Sequence, residues 1–279
     1  MKSTKKERID RVIASRGLAE SRTAARGLVM AGKVFVSGVR VDKAGTLVAE
    51  DSLIEIKRES VEWVSRGALK LVKALDVFRV DPKNRICVDI GASTGGFTQV
   101  LLARGASRVY SVDVGYGQLA WSLRNDERVV VMERKNARDL RPSDFDGTPE
   151  IAVVDASFIS LRLLLPVMNS FLPSAGEAVA LVKPQFEIGR GRVGKGGRVR
   201  SKEDHVEVLD GMTSFCDKKL ALKPSGLAFS PITGAKGNIE YLLYLRKTGD
   251  SVPTTLSSRE VVEEAHAFFS EEREERREP

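Results

Sequence analysis

A chain of 279 residues, 42% of them hydrophobic, has enough apolar material for one full α/β domain and a smaller companion. Its 45 Lys and Arg against 38 Asp and Glu leave a net charge of +7, a balance that suits a polyanion such as RNA or an anionic membrane surface. No window approaches the roughly 18 apolar residues of a spanning helix, and Met1 to Arg11 is charged with no apolar run, so neither a membrane span nor a cleaved secretion signal is expected. Cys87 and Cys216 stand far apart in apolar surroundings, with only His205 and His266 as companions. Reduced thiols of a cytoplasmic protein, and no metal site, are the expectation.

The chain opens with a short helix from Arg8 to Ala14 that stops at Gly17. A second follows over Ser21 to Met30, with Ser21 as N-cap and Gly32 as terminator. Short strands are predicted at Val34–Val36, Val39–Val41 and Leu53–Lys57, the first two joined by a Ser37-Gly38 hairpin turn. Ile9, Val12, Ile13, Ala25, Leu28 and Val29 face inward, which leaves Arg8, Arg11, Arg22, Arg26 and Lys33 on a common outer surface. This order resembles the small RNA-binding domain named after ribosomal protein S-four. A compact basic surface without a stacking platform suits folded RNA better than single strands.

Residues 59–64 read as a linker whose one large apolar group, Trp63, is expected to dock on a neighbouring domain. Ser65-Arg66-Gly67 then opens a helix with Leu71, Ala74 and Leu75 at helical spacing. From Ile86 strands and helices alternate: strands at Ile86–Ile90, Val109–Asp113, Val129–Val131, Ile151–Asp155 and Ala178–Lys183, and helices through Val100–Arg104, Leu119–Leu123 and Leu161–Phe171. Near-continuous apolar strands between amphipathic helices imply a mainly parallel sheet covered on both faces, with ligands bound beyond the carboxyl ends of its strands. Gly189 to Arg200 is a Gly-, Arg- and Lys-rich stretch expected to be a mobile loop that grips a phosphate backbone through Arg190, Arg192, Lys195 and Arg198, with Arg66 adding to that surface. Ser258 to Phe269 is a short acidic helix, and Ser270 to Pro279 a charged tail expected to fray or be disordered. The resulting division is 1–58, a linker over 59–64, 65–250, and a C-terminal helix and tail over 251–279.

The turn after the first apolar strand reads Asp89-Ile90-Gly91-Ala92-Ser93-Thr94-Gly95-Gly96-Phe97. Glycines there let the backbone bend sharply and bring N–H groups close to a ligand at a helix N-terminus. The pattern lacks the Lys-Ser/Thr of a P-loop, and its spacing is Gly-x-x-x-Gly-Gly rather than that of a dinucleotide fingerprint. Asp-x-Gly-x-x-x-Gly-Gly followed by a strand ending in Asp113 is the arrangement expected for binding S-adenosylmethionine, with Asp113 suited to a ribose diol. Transfer of a methyl group to an alcohol needs a group that stabilises the departing proton and the developing negative charge. Lys183 suits that task, either as a base with a lowered pKa or as an ammonium beside the incipient alkoxide. Asp155 is placed to orient it, and Lys70 with Glu240 completes two opposite-charge pairs.

Six segments occur in order: Ser65–Leu71 (SRGALKL), Asp89–Thr98 (DIGASTGGFT), Val112–Leu119 (VDVGYGQL), Val154–Leu161 (VDASFISL), Leu181–Glu187 (LVKPQFE) and Ser230–Tyr241 (SPITGAKGNIEY). With them the chain resembles the TlyA family, known both as hemolysins and as ribosomal RNA 2′-O-methyltransferases, whose catalytic domain is similar to the FtsJ methyltransferases. The resemblance implies a Rossmann-like class I methyltransferase domain behind a small N-terminal α+β RNA-binding domain. It also implies a catalytic tetrad of Lys70, Asp155, Lys183 and Glu240, and S-adenosylmethionine contacts at Asp89, Gly91, Ser93, Thr94, Gly95, Gly96, Phe97, Asp113, Asn136 and Ala137. The implied partner is ribosomal RNA or a ribosomal subunit, with a cytidine ribose as target. Gln99 replaces an Asp common in the family, and Arg198-Val199-Arg200-Ser201 replaces an expected Val-Val-Arg-Asp. Two other functions remain open from sequence: a ribosome-assembly factor that keeps the fold without turnover, and a membrane-lytic protein, for which the chain offers neither a span nor a strongly amphipathic basic helix.

Overall fold

The computed structural model describes residues 6–49, 51–56, 62–247 and 257–275. Residues 59–61 of the expected linker, the start of the C-terminal segment over 251–256 and the last four residues of the tail lie outside them. The chain divides into two compact units, Met1–Glu62 and Trp63–Pro279.

In the first unit, β1 (Lys6–Arg8) runs into α1 (Ile9–Ser15), and α2 (Arg22–Met30) follows. Ser21 caps α2 by accepting from the Ala24 N–H at 3.1 Å, and Gly17 and Gly32 take the left-handed conformation that ends each helix. Next come β2 (Val34–Val36), β3 (Val39–Val41), β4 (Leu47–Ala49) and β5 (Ile54–Ile56). Ser37 and Gly38 both have positive φ, as a two-residue type I′ hairpin requires. The three-stranded sheet has the order β3-β2-β5, while β1 pairs antiparallel with β4, a ribbon the sequence did not announce because Lys6–Arg8 is wholly charged and shows no apolar alternation. Ile9, Val12, Ile13, Ala25, Val29, Val34 and Val48 form the core.

The second unit begins with α3 (Ala68–Phe78) and continues as β6 (Ile86–Ile90), α4 (Gly96–Ala103), β7 (Arg108–Val112), α5 (Trp121–Arg124) and β8 (Val129–Met132). It goes on through β9 (Ile151–Val154), α6 (Leu161–Phe171), β10 (Glu177–Val182), α7 (Pro184–Glu187), α8 (Lys202–Lys219), β11 (Leu222–Phe229), β12 (Tyr241–Lys247) and α9 (Ser258–Glu275). The sheet has the order β11-β12-β10-β9-β6-β7-β8, with β6 to β10 mutually parallel and β12 antiparallel to both its neighbours, β10 and β11. Side chains alternate between two cores. Ala152 and Val154 of β9 pack with Leu164, Met168, Leu209 and Val262 from α6, α8 and α9. Ile151 and Val153 pack with Leu71, Leu75, Leu101 and Leu123 on the opposite face. Trp63 packs against that second core, within its own unit.

Two expectations need correction. The basic stretch is folded rather than a free loop: Gly194 bridges Arg198, Val199 is buried, and Arg192 pairs with Asp204 and with Glu207 of α8. The C-terminal helix reaches Glu275, well past Phe269, because Val262, Ala265 and Phe269 bury a stripe against the core and so stabilise the whole helix.

Candidate active site

The register of three adjacent strands explains how the four proposed catalytic residues meet. Asp155 follows the last residue of β9 and Lys183 the last residue of β10, and these parallel strands end at one edge of the sheet. β12 runs the other way, with Tyr241 opposite Val182, so Glu240, one residue before β12, comes level with Lys183 at that same edge. Lys70 reaches in from the first turn of α3. The carboxylate of Asp155 bridges both ammonium groups, with Lys183 Nζ at 2.6 Å from Oδ1 and Lys70 Nζ at 3.3 Å from Oδ2. Lys70 Nζ also lies 2.7 Å from Glu240 Oε2. Lys183 donates further to Ser157 Oγ at 2.9 Å, a partner to which sequence reasoning gave no role although Ser157 stands in the Val154–Leu161 segment.

These groups are nearly buried: Lys70, Lys183 and Glu240 are 7%, 6% and 2% exposed. Burial alone would depress the Lys70 ammonium, but Asp155 and Glu240 outweigh it and hold its pKa above the ordinary lysine value. Burial pushes Asp155 up, and Lys70 and Lys183 reverse that, so it stays below the usual carboxylate range. Burial dominates at Glu240, whose carboxyl is raised despite Lys70.

Two adjoining cavities flank this network. The first, about 540 Å³, is lined by all four ionic residues together with Gly91, Ser93, Thr94, Gly96 and Phe97. The second, about 760 Å³, is lined by Asp113, Asn136 and Ala137 among Ile90, Val112, Val114, Leu163 and Leu164. Gly91, Ser93, Asp155, Ser157 and Phe158 border both, and Phe158 is 91% exposed with a left-handed φ of 64°.

The glycines of the turn serve protein packing as much as ligand approach. A Cβ on Gly91, where φ is +81°, would sit 2.9 Å from the Asp155 carbonyl oxygen, and one on Gly96 would sit 2.3 Å from Ser65 Oγ. Gly95 lies under Leu119 and Leu123 and lines neither cavity. Asp89 also departs from the expected cofactor contact. It is 0% exposed, accepts from Thr98 N at 2.9 Å and Thr98 Oγ1 at 2.7 Å, and braces the start of α4 from below. Asp113 accepts from Ser93 N at 2.8 Å and Gly115 N at 2.7 Å while bordering the second cavity. Gln99 accepts from Val64 N at 2.8 Å, so this departure from the family pattern fastens the segment before α3. Ser201 caps α8 by accepting from Asp204 N at 3.2 Å, a task an Asp performs equally well.

The proposed RNA-contacting cations fall into different settings. Arg8 and Arg22 both bond the buried Asp10 at 3.1 Å, a carboxylate that sequence reading passed over. Arg11 pairs with Glu7, Arg26 is exposed, and Lys33 is half-buried. Arg66 and Lys195 are exposed, Arg198 donates to the Gly237 carbonyl at 3.2 Å, and Arg192 is neutralised on α8. The side chain of Arg190 lies outside the described atoms. No cluster among the described residues would hold a metal ion.

The pattern of the FtsJ-like methyltransferases matches residues 63–247, and that of the S4 domain matches residues 7–54. YqxC of Bacillus subtilis is 50% identical over 97% of this chain and 98% of its own length. The 16S/23S rRNA (cytidine-2′-O)-methyltransferase TlyA of Mycobacterium tuberculosis is 44% identical over 96% of this chain and 98% of itself. A solved Streptococcus thermophilus structure that carries a hemolysin label is 46% identical, covers 98% of this chain and 100% of that one, and superposes with a TM-score of 0.74. With a matched domain pattern from Trp63 to Lys247 and relatives alike over nearly their whole length, this chain belongs to the FtsJ-like methyltransferase family, in its TlyA group, and carries an S4 domain at its N-terminal side.

Proposed function

We propose that this chain is a cytoplasmic ribosomal RNA methyltransferase that takes S-adenosylmethionine as cofactor and modifies the 2′-hydroxyl of a cytidine ribose, the reaction named for its TlyA relative. The observation that carries the reading is the buried Lys-Asp-Lys-Glu network at the wall of a cavity whose other wall is the glycine turn. The residues present fit the cofactor. The first N–H groups of α4 have no intrahelical partner and open at Gly96 and Phe97, a setting for a carboxylate. Gln185 Oε1, buried without a partner among the described residues, belongs to the lining of the same cavity. Asp113 would hold the ribose hydroxyls, and the apolar wall around Val112, Ala137 and Leu164 would take the adenine.

Bound there, the cofactor supplies an electrophilic methyl group. A lysine ammonium has three donors; Lys183 donates one to Ser157 Oγ and is ion-paired with the Asp155 carboxylate, so a donor is left for the acceptor oxygen as its proton passes to solvent and negative charge develops on it. Asp155 fixes the direction of that donor, and the Lys70–Glu240 pair holds Asp155 without adding net charge to the site.

The test is transfer of labelled methyl groups to ribosomal subunits from a strain lacking the gene, followed by mapping of ribose methylation. Lys183→Ala is expected to lower kcat by about 10²–10³ while subunit binding persists. Full labelling by that variant would overturn the assigned role. The hemolysin label draws no support from the fold: no helix of the described residues is long and apolar enough to cross a membrane, and the apolar stripe of α9 is already spent on the core.

A further inference from the structure

The turn Gly234–Asn238 and the loop Gly194–Arg200 lie far apart in sequence, yet each holds the other's cation. Asn238, 3% exposed, accepts from Val199 N at 3.1 Å and donates to the carbonyls of Gly197 at 2.9 Å and Ala235 at 3.0 Å. A Cβ at Gly197 would stand 3.3 Å from Lys236 Nζ, and a Cβ at Gly237 would stand 3.3 Å from Nη2 of Arg198. Each glycine therefore provides the space in which the other loop's cation rests. Both have φ near +75°, and Lys236 itself is left-handed at φ 58°, a conformation a lysine keeps only where its surroundings impose it.

Charges around the cavity sort into two kinds. Inside, two ammonium groups face two carboxylates. Beside it, Arg192 is neutralised by Asp204 and Glu207. Lys236, exposed on the lining of the first cavity, has no carboxylate partner among the described residues, and Arg198, which lines a separate cavity together with Gly237, bonds only the Gly237 carbonyl. Two cations held on one loop pair with no anion between them make a receptor for an anion from outside.

We infer that this loop pair is a phosphate clamp: Lys236, with Arg198, grips the backbone phosphate flanking the ribose presented to Lys183, and Asn238 is the positioning residue that holds the two loops in register. The inference rests on the proposed reaction, and it adds a group on the substrate that the tetrad does not touch. The 3′-phosphate is carried on the carbon next to the one bearing the 2′-hydroxyl, so a grip there orients the nucleophile without taking part in the transfer.

The test uses the full chain, labelled cofactor and ribosomal subunits from a strain lacking the gene, with Lys236→Gln and Lys236→Arg. One charge-assisted contact corresponds to about tenfold in affinity. Lys236→Gln is expected to raise KM for the subunit about tenfold with the loss confined to KM. It should also reduce the slope of log binding constant against log salt by about one, and Lys236→Arg should restore both. An unchanged KM and slope in Lys236→Gln, or a loss confined to kcat, overturns the clamp while leaving the tetrad intact. A wild-type chain that binds subunits without transferring methyl groups overturns the enzymatic reading instead, and a lowered slope in Lys236→Gln then still upholds the phosphate grip.

Discussion

Lys70→Met removes the cation 2.7 Å from Glu240, and how Glu240 responds sets the size of the effect. Methionine keeps the straight stem, so little packing is lost. Glu240 is then a buried carboxylate without its closest counter-charge, and its way out is to take a proton. The unfolded chain releases that proton at the ordinary value of 4.5, and burial has already raised the folded value. A folded carboxyl that holds its proton more tightly than the unfolded one destabilises the fold as pH rises above 4.5, and the penalty disappears below that value. Protonating Glu240 at pH 7 costs at most about 3.4 kcal/mol, and at pH 5 about 0.7 kcal/mol, at 1.36 kcal/mol per pH unit. For a unit of this size the pH 7 figure corresponds to a fall in Tm of roughly 7–14 °C. Thermal denaturation of Lys70→Met from pH 5 to pH 8 should show the deficit growing with pH, and Lys70→Met combined with Glu240→Gln should recover most of it because no charge is left stranded. Methyl transfer should stay lost in both. A deficit equal at pH 5 and pH 8, or a double variant no more stable than the single one, would refute the reasoning.

Gly91→Ala places a methyl group 2.9 Å from the Asp155 carbonyl oxygen at a left-handed φ, so a loss of about 1–3 kcal/mol is expected in thermal denaturation, with kcat falling as Asp155 is displaced. Burial lifts the Asp89 carboxyl to about 7 against the bonds from Thr98, so wild-type stability should decline as pH rises from 3.8 toward 7, and Asp89→Asn should flatten a Tm series over that range. In the N-terminal unit, the bond from Arg8, helped by Arg22, outweighs burial and holds Asp10 down at about 2. Its contribution is present above 3.8 and lost as pH falls toward 2. Asp10→Asn should therefore loosen this unit at pH 7 while freeing two guanidinium groups, seen as tighter non-specific RNA binding at low salt.

Where periodicity is strong, the sequence alone is enough. Leu161–Phe171 forms the helix its spacing predicts, and the five apolar strands appear within a residue or so of their expected bounds. α8 escapes notice because few of its residues are apolar and buried, among them Val208, Leu209 and Met212, and Gly211 interrupts the pattern. β11 is hidden by Pro224 and Gly226, two residues that strand interiors disfavour. The strand tolerates them at the sheet edge, with a shift in register between the two, where Phe78 fills the space above Gly226. Residue types also mislead about role. Asp89 looks like a ligand contact and is a brace beneath α4, and Arg8 and Arg22 look like a free basic face and are both folded onto Asp10.

The site follows the same division, and Glu240 is its instructive member. Asp155 and Lys183 stand at the carboxyl ends of recognisable parallel strands, where a ligand is expected from topology alone. Glu240 precedes a strand that sequence reading did not place, and its position follows only once β12 is known to run antiparallel beside β10. Side chains alternate faces along a strand, so a slip of one residue in this pairing would carry the carboxylate away from Lys70. The register is held at the point of entry. The Ser230 N–H donates to the Glu240 carbonyl at 2.9 Å, Gly234 N–H donates to the Asn238 carbonyl at 2.8 Å, and a Cβ on Gly234 would fall 1.8 Å from Glu240 Oε1. The glycines and asparagine of the Ser230–Tyr241 segment are therefore what lets a carboxylate from an edge hairpin reach a network built on the parallel strands.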